Sequence, residues 1–105
     1  NIDRFNAILK TLKELGVLIV IDRLGAINTS FLYLRDLDID IVRFDPFYIK
    51  DIHKYKPIIS GYNIMSHLKG IKTWIKMIED EDTKNLVKEL KIDYMQGRYL
   101  AHVNV

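Results

Sequence analysis

The sequence contains no cysteine, which excludes disulfide frameworks, zinc ribbons and thiol nucleophiles and suits a reducing compartment. Its two prolines and five glycines are too few for a collagen-like or low-complexity chain. No apolar run approaches the roughly 20 residues needed to cross a bilayer, and the opening residues lack a signal-peptide pattern. Charge of one sign is missing as well. With 16 basic and 14 acidic residues interspersed, the net charge of +2 points to neither nucleic acid nor an anionic membrane as partner. A starting methionine is also absent, so we expect a piece of a longer protein.

What is present is the composition of an ordinary globular protein, 49% apolar and 29% charged over 105 residues, enough for one small domain. Its most conspicuous stretch is the apolar, mostly β-branched run Val17 to Ile21, which reads as a strand buried on both faces and ends abruptly in Asp22, Arg23 and then Gly25. Before it, Ile2, Phe5, Ile8, Leu9, Leu12 and Leu15 recur at helical spacing, and Gly16 is a natural stop. Gly25 to Asn28 reads as a turn, followed by a short helix from about Thr29 to Leu37, capped by Asn28 or Thr29, with Phe31, Leu34 and Leu37 inward.

Asp38 to Asp45 reads as a second strand halted by Pro46. Phe47 to Lys56 is a loop or irregular helix, and Pro57 suits the first position of a third helix reaching Lys69. Ile58, Ile59, Tyr62, Met65 and Leu68 would form its buried face. Ile71 to Ile78 reads as a third strand ending at Glu79, with Trp74 in the core. Asp80, Glu81 and Asp82 load the start of a fourth helix whose inner face is Leu86, Val87 and Leu90. Ile92 to Gln96 is a last short strand. Strands alternating with helices imply α/β architecture with a parallel sheet, and strand ends at Asp22, Asp45, Glu79 and Gln96 would put four polar groups on one rim.

The runs Leu12 to Gly25, Ser30 to Leu34, Asp40 to Asp45 and Tyr94 to Gly97 resemble the C-terminal half of EAL domains, bacterial phosphodiesterases that hydrolyse cyclic di-GMP on a TIM-like barrel. The resemblance implies a partial barrel of about four parallel strands and four helices. It also implies a family mechanism in which two divalent cations, magnesium or manganese, activate a water. Asp22 keeps the first place of the family's Asp-Asp pair and is its metal position here, whereas Arg23 stands at the second. Arg43 stands where the family has a lysine near the catalytic water. The family's Ala-Glu-Gly-Val-Glu pattern falls on Ile75 to Glu79, so Lys76 replaces one glutamate and Glu79 remains.

The catalytic positions implied are thus Asp22, Arg43 and Glu79, and the substrate-binding one Gln96; Arg23 and Lys76 are expected to join it through their charge, as cations where a cyclic dinucleotide's phosphates lie. The Glu-Ala-Leu signature itself belongs to an N-terminal half that is not in this sequence. A guanidinium cannot ligate a cation, so we expect salt bridges between Asp22, Glu79, Arg23 and Lys76, and no cofactor for this chain. His53, His67 and His102 lack metal-like spacing, Ser30 lacks a nearby histidine, and Tyr33 or Tyr48 could stack a base.

The expectation is therefore a degenerate, non-catalytic EAL module of bacterial cyclic di-GMP signalling, cytoplasmic or the cytoplasmic part of a membrane-bound parent. It would act by binding a protein or by sensing the nucleotide. The alternatives are part of a working phosphodiesterase and a structural dimerisation unit. A half barrel leaves two strand edges unpaired, so a homodimer or the missing half is the expected partner.

Overall fold

The computed structural model describes residues 2–26 and 30–98, with the side chains of Ser30 and Phe31 outside the described set. The expected cap at Asn28 or Thr29, the inward Phe31 and His102 fall outside it too. The elements are α1 (Ile2–Glu14), β1 (Val20–Leu24), α2 (Ser30–Asp36), β2 (Ile41–Phe44), a 3-10 turn (Pro46–Asp51), α3 (Ile52–Leu68), β3 (Lys72–Ile75), α4 (Glu81–Glu89) and β4 (Tyr94–Met95). The strands form one parallel sheet in the order β1-β2-β3-β4, with β1 and β4 at its edges. This is the expected α/β alternation, as a sheet not closed into a barrel.

The C-terminal ends of α1 and α3 and the start of α4 fall where the sequence put them. Gly16 and Gly70 have φ of +84° and +75°, a left-handed conformation open to glycine, and the N–H groups after them reach back to Leu12 and Ser66 carbonyls. Asp80 caps α4 by accepting from the Thr83 N–H at 2.7 Å.

Strands begin later and run shorter than expected. β1 opens at Val20 rather than Val17, and the expectation of burial on both faces fails: Leu18 is 68% exposed, and Val17 and Val20 are exposed too. The physical reason is that helices cover only one sheet face. On that face Leu24, Val42, Phe44 and Ile75 are almost wholly buried, joined in the core by Leu34, Ile52, Ile59 and Val87. Side chains alternate along a strand, so Ile41, Arg43, Lys72, Trp74 and Tyr94 look to the open side. Trp74 is consequently half-buried there and is no core residue.

α3 also departs from expectation. It starts at Ile52, continuous with the 3-10 turn, and Pro57 lies inside it. A proline there removes the donor for the His53 carbonyl, which is tolerable because both residues are exposed near the helix start. The buried positions are Ile52, Ile59, Asn63 and Ser66, whereas Ile58, Met65 and Leu68 face outward. The buried polar pair is satisfied. Asn63 donates to the Leu90 carbonyl at 2.8 Å and accepts from the Thr73 hydroxyl at 2.5 Å, and Ser66 donates to the Tyr62 carbonyl.

Beyond β3 and β4 the backbones run in close contact, with the Ile78 N–H donating to the Gln96 carbonyl at 3.1 Å. A Cβ on Gly97 would stand 2.1 Å from the Ile78 oxygen. Because the obstacle is backbone, Gly97→Ala is expected to cost about 1–3 kcal/mol in urea unfolding, the range of overpacking. A wild-type midpoint for this variant would show that the two chains separate freely.

Candidate functional site

A parallel sheet delivers the C-terminal ends of its strands to one rim, and the candidate site residues meet there. β1 carries a bulge: Ile21 registers with Val42 and Leu24 with Phe44, so Asp22 and Arg23 together oppose Arg43. Arg23 takes a φ of 62°, uncommon for a side chain of its kind, and its side chain reaches Asp45.

The ion pairs are not the ones the sequence suggested. Arg43 grips Asp22 with both arms, Nε to Oδ1 at 2.9 Å and Nη2 to Oδ2 at 2.6 Å. Arg23 Nε donates to Asp45 Oδ2 at 3.1 Å, while the other Asp45 oxygen caps the 3-10 turn at the Phe47 N–H. Among the described residues Glu79 has no ion-pair partner and is exposed, since the chain leaves β3 through Met77, at φ 68°, before reaching it. The fourth polar strand end, Gln96, is exposed in its side chain, and its backbone N–H bonds Ile75. Asp22, Arg43, Arg23 and Lys76 are thus brought into one electrostatic group, and Glu79 is left outside it.

The Asp22 carboxyl is held below the usual carboxylate range chiefly by its hydrogen bonds from Arg43, opposed by burial and helped by the Arg23 N–H and the charge of Lys76. Arg43 also stands over Trp74, its Cζ 4.6 Å from the ring centroid. Sequence reasoning missed this stack. No stretch of sequence carried its signal, because it is the strand register that sets Arg43 beside Trp74 and Trp74 beside Tyr94. Tyr33 is exposed, whereas Tyr48 is buried and donates its hydroxyl to the Gly25 carbonyl, so Tyr48 cannot stack a base.

A magnesium or manganese ion takes several oxygen ligands. Both Asp22 oxygens are occupied by a guanidinium, and among the described residues no group of three His, Asp or Glu side chains converges. The donor set of the described residues does not by itself fit such an ion. His53 and His67 are engaged elsewhere, with Asp82 and Asp93. No helix among the described residues is long and apolar enough to cross a membrane.

The chain is 30% identical over 105 residues to cyclic di-GMP phosphodiesterase PdeA of Borreliella burgdorferi, covering 97% of this chain and 16% of that protein. Among solved structures, an EAL domain protein from Listeria monocytogenes EGD-e matches with a TM-score of 0.83 at 34% identity, over 90% of this chain and 40% of its own. PaMucR phosphodiesterase, solved as a c-di-GMP complex, matches with a TM-score of 0.80 at 26% identity, over 93% of this chain and 41% of its own. The chain therefore spans well under half the length of these relatives. The EAL domain family model matches residues 1–102, and with the sheet order and the rim just described this chain belongs to the EAL domain family.

Proposed function

We propose that this chain is a non-catalytic EAL module of cyclic di-GMP signalling, one that binds the nucleotide without cleaving it. The observation that carries the reading is the two-armed grip of Arg43 on Asp22, which occupies the carboxylate a metal would need. Around it the balance of charge is inverted for metal binding and favourable for an anion. Arg23 and Lys76 supply cations on the rim, and phosphates are anions that charge-assisted donors hold well. The Arg43–Trp74 stack and the exposed Tyr94 beside it add flat surfaces suited to a purine. Relatives named as cyclic di-GMP phosphodiesterases, and one solved with c-di-GMP bound, supply the ligand class.

The test is calorimetric titration of cyclic di-GMP into the protein in excess chelator and again in magnesium or manganese, with chromatography for the linear product. We expect equal affinity in both conditions and intact nucleotide after prolonged incubation. Metal-dependent hydrolysis would overturn the reading in favour of a phosphodiesterase. Absence of binding in every condition would remove the nucleotide from it and leave a protein-interaction module.

A further inference from the structure

Asp45 is a buried carboxylate on the rim, and the nucleotide reading gives it no part. Its side chain is 12% exposed, whereas the Arg23 side chain that it holds is 73% exposed. An acid beside an anion site repels the anion, so its presence there calls for a reason other than charge.

The geometry supplies one. Asp45 is itself fixed: its N–H donates to the Leu24 carbonyl at 3.0 Å, its Oδ1 accepts the Phe47 N–H at 2.9 Å, and Pro46 after it confines its backbone to the extended conformation it adopts. Oδ2 is left for Arg23 and takes Nε alone, at 3.1 Å. Two residues on, the Tyr48 hydroxyl donates to the Gly25 carbonyl, and the Tyr48 ring stands edge-on to Phe47 and Tyr55. The segment 45–48 thus grips Arg23, Leu24 and Gly25 in turn, and holds Arg23 at its left-handed φ of 62°. Among the described residues neither Nη group of Arg23 has a partner, whereas Arg43 spends Nε and Nη2 on Asp22.

We propose that Asp45 is a positioning residue, which holds Arg23 by Nε and presents both of its Nη groups to a phosphate of the nucleotide. The inference rests on the nucleotide reading of the rim and adds the residue that orients its cation. A free arginine side chain loses rotamer freedom when it closes on a phosphate, and one already bonded at Nε loses less.

Charge and position predict opposite signs, which makes a direct test available. Asp45→Asn keeps the shape of the side chain and an oxygen for the Phe47 N–H, but it removes a negative charge and turns an amide N–H toward Arg23. Acting through charge alone, Asp45 would weaken an anion, and the variant would bind more tightly. Calorimetric titration of cyclic di-GMP is instead expected to show a loss of about three- to tenfold, the scale of immobilising one long side chain on binding. In an Arg23→Asn background the same substitution is expected to cost nothing further. Wild-type or tighter binding by a folded Asp45→Asn chain would overturn the proposal and leave the nucleotide reading standing. So would an equal loss with and without Arg23, because Asp45 would then act on the fold.

Solvent exchange of the Arg23 Nε–H, read by heteronuclear NMR and assigned by its disappearance in Arg23→Asn, tests the orientation with no nucleotide present. Slow exchange is expected in the wild-type chain and fast exchange in Asp45→Asn. Absence of nucleotide binding by the wild-type chain would overturn the nucleotide reading. Fast exchange in the wild-type chain would overturn this proposal by itself, even where Asp45→Asn fails to fold.

Discussion

Asp93→Ala is expected to lower the unfolding free energy by about 2–3 kcal/mol, read from the urea midpoint at constant slope. Asp93 Oδ2 accepts the Thr73 N–H at 2.8 Å and meets His67 Nε2 at 2.7 Å, while the Asp93 N–H donates to the Thr73 hydroxyl. Thr73 is wholly buried, so removing the carboxylate strands its amide away from water. The same hydroxyl donates to Asn63, so one network ties α3, β3 and the approach to β4. A loss under about 0.5 kcal/mol, the scale of ordinary surface substitutions, would show that water takes over the Thr73 amide.

The pH dependence follows from the same contacts. Burial pushes the Asp93 carboxyl up, but the Thr73 N–H and His67 outweigh it, and the net shift is downward. A carboxyl whose folded pKa is lowered contributes stability that is fully present above its unfolded value, near 3.9. That contribution disappears as the pH falls through the folded value. Asp93→Asn is therefore expected to flatten the acid limb of the stability curve below about pH 4. The slope that remains belongs to Asp22, Asp36 and Asp80, whose carboxyls are also held low. An unchanged acid limb would assign the whole of it to those groups.

On the functional side, Arg23→Asn combined with Lys76→Gln is expected to weaken cyclic di-GMP about 100-fold or more, from two charge-assisted contacts at about 1.5–3 kcal/mol each. Asparagine is chosen at position 23 because it tolerates the left-handed backbone there. The substitution also releases Asp45 from Arg23, yet the Asp45 cap on the Phe47 N–H remains, so the fold is expected to hold. Circular dichroism checks that point. Unchanged affinity in a folded double variant would mean that neither cation meets a phosphate.

The residues that ended elements spoke for themselves in the sequence. Gly16, Gly70 and Asp80 act through their own backbone or the next turn, so their roles depend on nothing distant. Positions whose fate depends on which face a neighbour covers did not. The run Val17 to Ile21 has the composition of a doubly buried strand, yet helices cover only one face of the sheet. α3 offered two apolar faces at helical spacing, and periodicity chose the outward one, because Ile58, Met65 and Leu68 are more apolar than the Asn63 and Ser66 that are in fact buried.

By itself the sequence determined the order of strands and helices and the parallel sheet with its strand ends on one rim, because each is a matter of local pattern. Only the tertiary structure decided that Asp22 pairs with Arg43 and Arg23 with Asp45. The bulge in β1 sets two residues against one, turns the arginine next in sequence away from Asp22, and brings in an arginine 21 positions distant. Pairing of that kind follows from strand register, which no single stretch of sequence contains.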